Sequence, residues 1–88
     1  VIFLAFDQKG LDYCRPLVRQ VRRAGIAAEI YPEIAKMKKQ MTYADNNQIP
    51  YVAIVGDSEI EAGKVMLKNM ASGEQQLSTI NEVIDLLK

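Results

Sequence analysis

The chain has 88 residues, with 11 Lys+Arg against 11 Asp+Glu, one cysteine and no histidine. That length makes one domain with a modest core. Without histidine there is no Ser-His or Cys-His dyad, no imidazole metal ligand and no imidazole acid/base. Lone Cys14 rules out an internal disulfide and any multi-cysteine zinc site, and points to a reducing, cytoplasmic setting. The longest apolar run, Val1–Phe6, is too short to span a membrane.

Val1–Phe6 reads as a strand covered on both faces, and its abrupt start, without Met or a polar leader, suggests a piece of a longer chain. Asp12 is placed to cap a helix with Cys14, Leu17, Val18 and Val21 at helical spacing, Pro16 in its first turn and Gly25 just past its end. Ile26–Tyr31 reads as a second strand. Pro32 is predicted to start a second helix, with Ile34, Met37, Met41 and Ala44 on one face and Asn46-Asn47 at its end. Tyr51–Val55 is a third, strongly apolar strand stopped by Gly56, and residues 57–63 read as a polar connection. Lys64–Asn69 alternates like a strand, Ala71-Ser72-Gly73 turns, and Glu74–Ser78 makes a short edge strand. Thr79-Ile80-Asn81-Glu82 fits a capping box, with Ile80, Val83, Ile84 and Leu87 on one helical face. The order β-α-β-α-β-β-β-α predicts an α/β fold in three layers, α/β/α, around a mixed sheet of about five strands. The first three strands are parallel through right-handed crossovers, and the fourth is antiparallel to the third.

Three groups of residues could carry function. Lys36, Lys39, Gln40, Tyr43 and Asn47 fall within one sector of the second helix. Cations, amides and a ring on one stripe suit a nucleic-acid strand, and they also suit an ordinary solvated face. Arg15, Arg19, Arg22 and Arg23 crowd the first helix, which fits a nearby anion, an acidic partner surface or plain water. Gly56-Asp57-Ser58-Glu59 follows a buried parallel strand, at the edge where open α/β sheets bind ligands. A carboxylate such as Glu59 can accept from both adjacent donors on the Watson–Crick edge of guanine, while Lys64 and Lys68 could meet phosphate or a base carbonyl. The methionines read as core filler and Cys14 as buried and inert. No catalytic residues are found.

Together, Val21-Arg22-Arg23-Ala24-Gly25-Ile26 with Glu29, Lys39-Gln40 with Ala44, Ile49-Pro50-Tyr51-Val52-Ala53-Ile54-Val55-Gly56, Gly56-Asp57-Ser58-Glu59, Gly63-Lys64-Val65-Met66-Leu67-Lys68-Asn69 and Ser72-Gly73-Glu74-Gln75-Gln76 resemble the anticodon-binding domain of the class IIa aminoacyl-tRNA synthetases. Lysine at 68, a polar residue at 69 and the Gly-Glu-Gln turn are similar to the histidine-specific branch. The resemblance spans essentially all 88 residues. It implies a single anticodon-binding domain, residues 1–88, with strand order 2-1-3-4-5, at the C-terminus of a longer synthetase that forms a homodimer. ATP and magnesium would be used only in that enzyme's separate catalytic domain, and this domain would hold no cofactor. The implied partner is the anticodon stem-loop of tRNA(His), whose anticodon is GUG. The implied RNA-binding residues are Glu59 and Lys68 foremost, then Gln48, Lys36, Lys39, Gln40, Tyr43 and Asn69. The alternative is a docking module of the same fold, in an accessory or regulatory subunit that does not read RNA. A small-ligand domain ranks below both, for want of a glycine-rich fingerprint. The zero net charge conceals an asymmetry: residues 1–40 hold 8 basic and 4 acidic groups, residues 41–88 hold 3 and 7. Reading a few splayed bases needs local cations and acceptors rather than a high pI.

Overall fold

In the computed structural model, which describes residues 1–88, the run Ile2–Ala5 forms strand β1, and all four of its residues are buried. Alternation is absent because helices cover both faces of this strand. It pairs in parallel with β2 (Glu29–Ile30) on one side and β3 (Tyr51–Val55) on the other. Antiparallel β4 (Val65–Asn69) and β5 (Gln75–Ser78) complete the sheet, in order β2-β1-β3-β4-β5. The predicted order and the antiparallel fourth strand are both present.

Helix α1 (Gln8–Arg23) begins five residues before the predicted start. Its cap is Asp7, whose Oδ1 accepts from the Gly10 N–H at 2.9 Å, not Asp12. Pro16 therefore lies in the helix interior, but on its exposed side, where water can reach the carbonyl of Asp12 that loses its donor. The end is as expected. Gly25, at φ +86°, donates to Arg22 O and Ile26 N–H donates to Val21 O, closing a Schellman turn.

Helix α2 spans Met37–Asn46, so the predicted start at Pro32 is too early. Residues 32–36 form no helix and Ile34 is exposed. Residues 57–63 are not a mere connection: Asp57–Ala62 forms α3, closed by Gly63 in the left-handed region at φ +67°. Helix α4 (Ile80–Leu87) carries the predicted capping box, with Thr79 Oγ1 accepting from Glu82 N–H and Glu82 Oε1 accepting from Thr79 N–H. These bonds hold the Glu82 carboxyl below the usual carboxylate range.

Two apolar clusters sandwich the sheet. On one face Phe3, Ala53, Val55, Val65 and Leu67 pack with Cys14, Val18 and Val21 of α1 and Val83 of α4, and Ile60 of α3 joins them. On the other, Ile2, Leu4 and Val52 pack with Tyr31 and Ala44, the latter from α2. Each fully buried side chain of this size contributes about 1.5–3 kcal/mol. Burial pushes the Cys14 thiol up to about 12, so it stays an unreactive core group. No helix is long and apolar enough to cross a membrane.

Candidate nucleic-acid interface

The two faces of the sheet are covered unequally. Helices α1, α3 and α4 contribute to one cluster, whereas α2 alone lies on the other face and packs on β1. Directly opposed residues of antiparallel strands share a face, so Lys68 stands beside Val52, and Met66 beside Ile54. One strand further, Gln75 stands beside Lys68 and Leu77 beside Met66. On β4 and β5 these side chains are incompletely covered: Met66 and Lys68 are half-buried, Gln75 is exposed and Leu77 is 41% exposed. The result is a flat strip of two apolar side chains, one amide and one cation.

The sequence-predicted residues divide between the two ends of this strip. Glu59 lies beyond the carboxyl end of β3, on α3. Lys68 and Asn69 pair with Val52 and Tyr51 near the start of that strand. Four residues of strand, about 13 Å, separate Lys68's partner from Gly56. Gln48, between α2 and β3, lies at the Lys68 end. Gln40 bonds Ala5, the last residue of β1, which places the start of α2 at the Glu59 end. Lys36 and Lys39, exposed around that start, therefore share the Glu59 end, and Lys39 Nζ lies 3.4 Å from Glu33.

Gln40 is not on the exposed stripe. It is fully buried, and its Nε2 donates to Ala5 O and Ala35 O, both at 2.8 Å. Four residues before Ala44, it belongs to the stripe α2 turns toward the sheet. Tyr43 is partly committed as well, its ring edge-on to Tyr31 with centroids 5.3 Å apart. Asn69 also serves the structure: its Oδ1 accepts from Ala71 and Ser72 N–H, holding the β4–β5 turn. Glu59 has a double position. Its Oε1 accepts from Gly56 N–H at 2.7 Å and fixes the start of α3, which leaves its second oxygen for other partners. Asn47 caps α2 by donating from Nδ2 to Tyr43 O.

Gln48 is the only non-glycine residue with positive φ, at 54°. It occupies the site after the α2 cap, with Gln48 N–H donating to Asp45 O and Ile49 N–H to Ala44 O, the same closure that Gly25 makes for α1. Its exposed amide makes no hydrogen bond within the chain. Gln48→Gly is expected to raise stability by about 0.5–1 kcal/mol in urea unfolding, because glycine relieves the left-handed strain.

Leu77, Met66, Gln75 and Phe6 escaped the sequence reading. Strand alternation put Met66 on Lys68's face, but nothing local says that α2 stops short of it. Phe6, 52% exposed, counted as the end of an apolar strand. It lies past β1, and its ring passes so close to Gly56 that a Cβ there would meet Cδ2 at 3.2 Å. The four arginines of α1 lie on the other side of the sheet. Arg15 pairs with Asp12 at 3.1 Å and Arg22 donates to Ala28 O at 2.8 Å.

The anticodon binding domain family model matches residues 1–88. The chain is 51% identical to the histidine–tRNA ligase of Phocaeicola vulgatus over 88 residues, covering 100% of this chain and 19% of that protein. It is 52% identical to the histidine–tRNA ligase of Bacteroides fragilis over 87 residues, covering 99% and 19%. The chain thus spans about a fifth of the length of these curated relatives. Among solved structures, the RNA binding domain of threonyl-tRNA synthetase from Cryptosporidium parvum Iowa II superposes with a TM-score of 0.91 at 23% identity, covering 98% of this chain and 22% of that one. At that identity the likeness concerns the fold alone. Apo histidyl-tRNA synthetase from S. aureus gives 0.84 at 26%, with 98% and 22% covered.

Proposed function

The chain belongs to the anticodon-binding domain family, and from that premise we propose that it reads the anticodon loop of tRNA(His) as one domain of a longer histidine–tRNA ligase. Activation of histidine with ATP and magnesium, and transfer to tRNA, belong in this reading to a separate catalytic domain of the same chain, within a cytoplasmic homodimer. The single observation that carries the reading is the strip on β4 and β5. Unstacked bases need apolar surface to lie on, amides to meet their edges and a cation for the backbone, and Met66, Leu77, Gln75 and Lys68 supply these side by side. Lys36 and Lys39 add positive charge at the Glu59 end, and Gln48 adds a free amide at the other. The arginines of α1 face away from this surface and have no part in the proposal. The relatives lend the docking-module alternative no support.

Lys68→Ala is expected to weaken binding of a GUG-bearing stem-loop about ten- to a hundred-fold, the worth of one charge-assisted hydrogen bond. The plot of log affinity against log salt should lose about one unit of slope if Lys68 neutralises a phosphate. Fluorescence anisotropy at several salt concentrations measures both. Equal affinity of wild type and variant, together with no preference for the GUG loop over a scrambled one, would sink the reading.

A further inference from the structure

Strand β2 is the first in the order β2-β1-β3-β4-β5, so it is paired on its β1 side alone and its other side is a sheet edge. A cavity of about 200 Å³ lies between that edge and α1, lined by Arg15, Val18, Arg19, Arg22 and Ile30. Small-molecule sites begin at about 300 Å³, so this groove has room for a side chain rather than for a metabolite.

The fold leaves two things open here. The first is backbone. Glu29 N–H donates to Val1 O at 3.1 Å and Tyr31 N–H donates to Phe3 O at 3.0 Å. Successive residues of a strand turn their backbone groups to opposite edges, so the N–H and carbonyl of Ile30 face outward. The second is charge. Arg15, Arg19 and Arg22 follow one another at i, i+4 and i+7 on an exposed stripe, where like charges three and four apart destabilise a helix. Asp12 alone answers them, through Arg15. Arg22 donates from Nε to Ala28 O at 2.8 Å, which holds it at the edge and leaves its Nη groups for a bidentate partner. Arg19 makes no ion pair or hydrogen bond within the chain.

We propose that this groove takes up an extended acidic segment of a partner protein. The segment adds to the edge of β2 by pairing with Ile30 and sets carboxylates on alternate residues against Arg15, Arg19 and Arg22. The spacing suits this. The three arginines step about 6 and 4.5 Å along the helix axis. Alternate residues of a strand are about 6.7 Å apart, a difference that flexible arginine side chains absorb. A sheet edge guarded by cations turns away apolar and basic strands, and by the same charge it selects an acidic one. Phosphates would also meet the charge, but the outward backbone pair of Ile30 and the apolar Val18 and Ile30 match a peptide. The groove lies on the opposite side of the sheet from the β4–β5 strip, so the proposal stands independently of the RNA-binding reading.

The test is an NMR titration of the isotope-labelled 88-residue chain with a capped hexapeptide of alternating glutamate and valine. The amide signals of Ile30 and of residues 15–22 should shift, and exchange of the Ile30 N–H with water should slow about ten-fold or more at saturation. Glutamine in place of the peptide's glutamates should weaken binding about ten-fold or more, and Arg19→Gln, a change on the solvated side of α1, about two- to five-fold. N-methylation of the peptide at its glutamates alone, or at its valines alone, blocks one edge of the added strand at a time. One of these two peptides should therefore fail to bind while the other binds like the parent. Equal binding of both, or no response at Ile30, overturns strand addition. A short oligouridylate that shifts these amides where the acidic peptide does not would give the groove to nucleic acid and overturn the proposal as well.

Discussion

Gln40→Leu is expected to lower the free energy of unfolding by about 2–4 kcal/mol. Two carbonyls depend on its amide, Ala5 O at the end of β1 and Ala35 O ahead of α2. Each buried acceptor left without a donor costs about 1–3 kcal/mol. Leucine offsets part of this by removing Gln40 Oε1, the one buried side-chain polar atom without a partner. Against a total of about 4–13 kcal/mol for a chain this long, the loss is large. Urea unfolding followed by circular dichroism measures it, and a midpoint within error of wild type would refute the clamp.

Gln40→Glu should be worse at neutral pH. An ionised carboxylate would face two carbonyl oxygens with no donor at all, so burial raises its folded-state pKa above the unfolded value of about 4.3. Between those two values the native state holds a proton that the unfolded state has released. Stability then falls as pH rises through that window and levels off above it. The isosteric pair Gln/Glu should therefore differ least in acid and most at neutral pH.

Gly10→Val is expected to cost about 3 kcal/mol, and here the sign is more telling than the size. In an open helix, replacing glycine with alanine would stabilise by up to about 1 kcal/mol. At Gly10 a Cβ would stand 2.9 Å from Ala5 Cβ and 3.3 Å from Val55 O. The first turn of α1 is pressed against the ends of β1 and β3, neither of which can yield cheaply. Overpacking of this kind costs about 1–3 kcal/mol, so even Gly10→Ala should destabilise. Thermal unfolding of the two variants gives the answer, and a more stable alanine variant would show that the helix can lift away.

These two positions also show why parts of the chain misled a linear reading. Pro16 reads as a first-turn residue behind an Asp12 cap, which puts the start of α1 five residues too late. Gly10 is tolerated because close packing needs it, and Pro16 because its face is solvated. Helix α3 is too short to show a hydrophobic period. It exists because Glu59 caps it, Gly63 closes it and Ile60 packs against the core. Gln40 looked like part of a polar stripe because amides usually face water. Its acceptors come from a strand 35 residues earlier in the chain.

By itself the sequence determined the layers, the parallel and antiparallel pairings, the closure at Gly25, the capping box at Thr79 and the kinship with anticodon-binding domains. All of these are written in short-range spacing, where hydrophobic period and backbone geometry act over a few residues. Only the tertiary structure decided which polar residues are free. Gln40 is consumed by the core, Asn69 by a turn and half of Glu59 by a helix cap, while Phe6 and Leu77 are left exposed and Met66 half-buried. The reason is physical: whether a side chain is satisfied depends on which donors, acceptors and apolar surfaces the fold brings to it, and here those come from distant segments. The neutral total charge obeys the same division. Counting predicted it, but only the fold shows the arginines on one face of the sheet and Lys68 on the other.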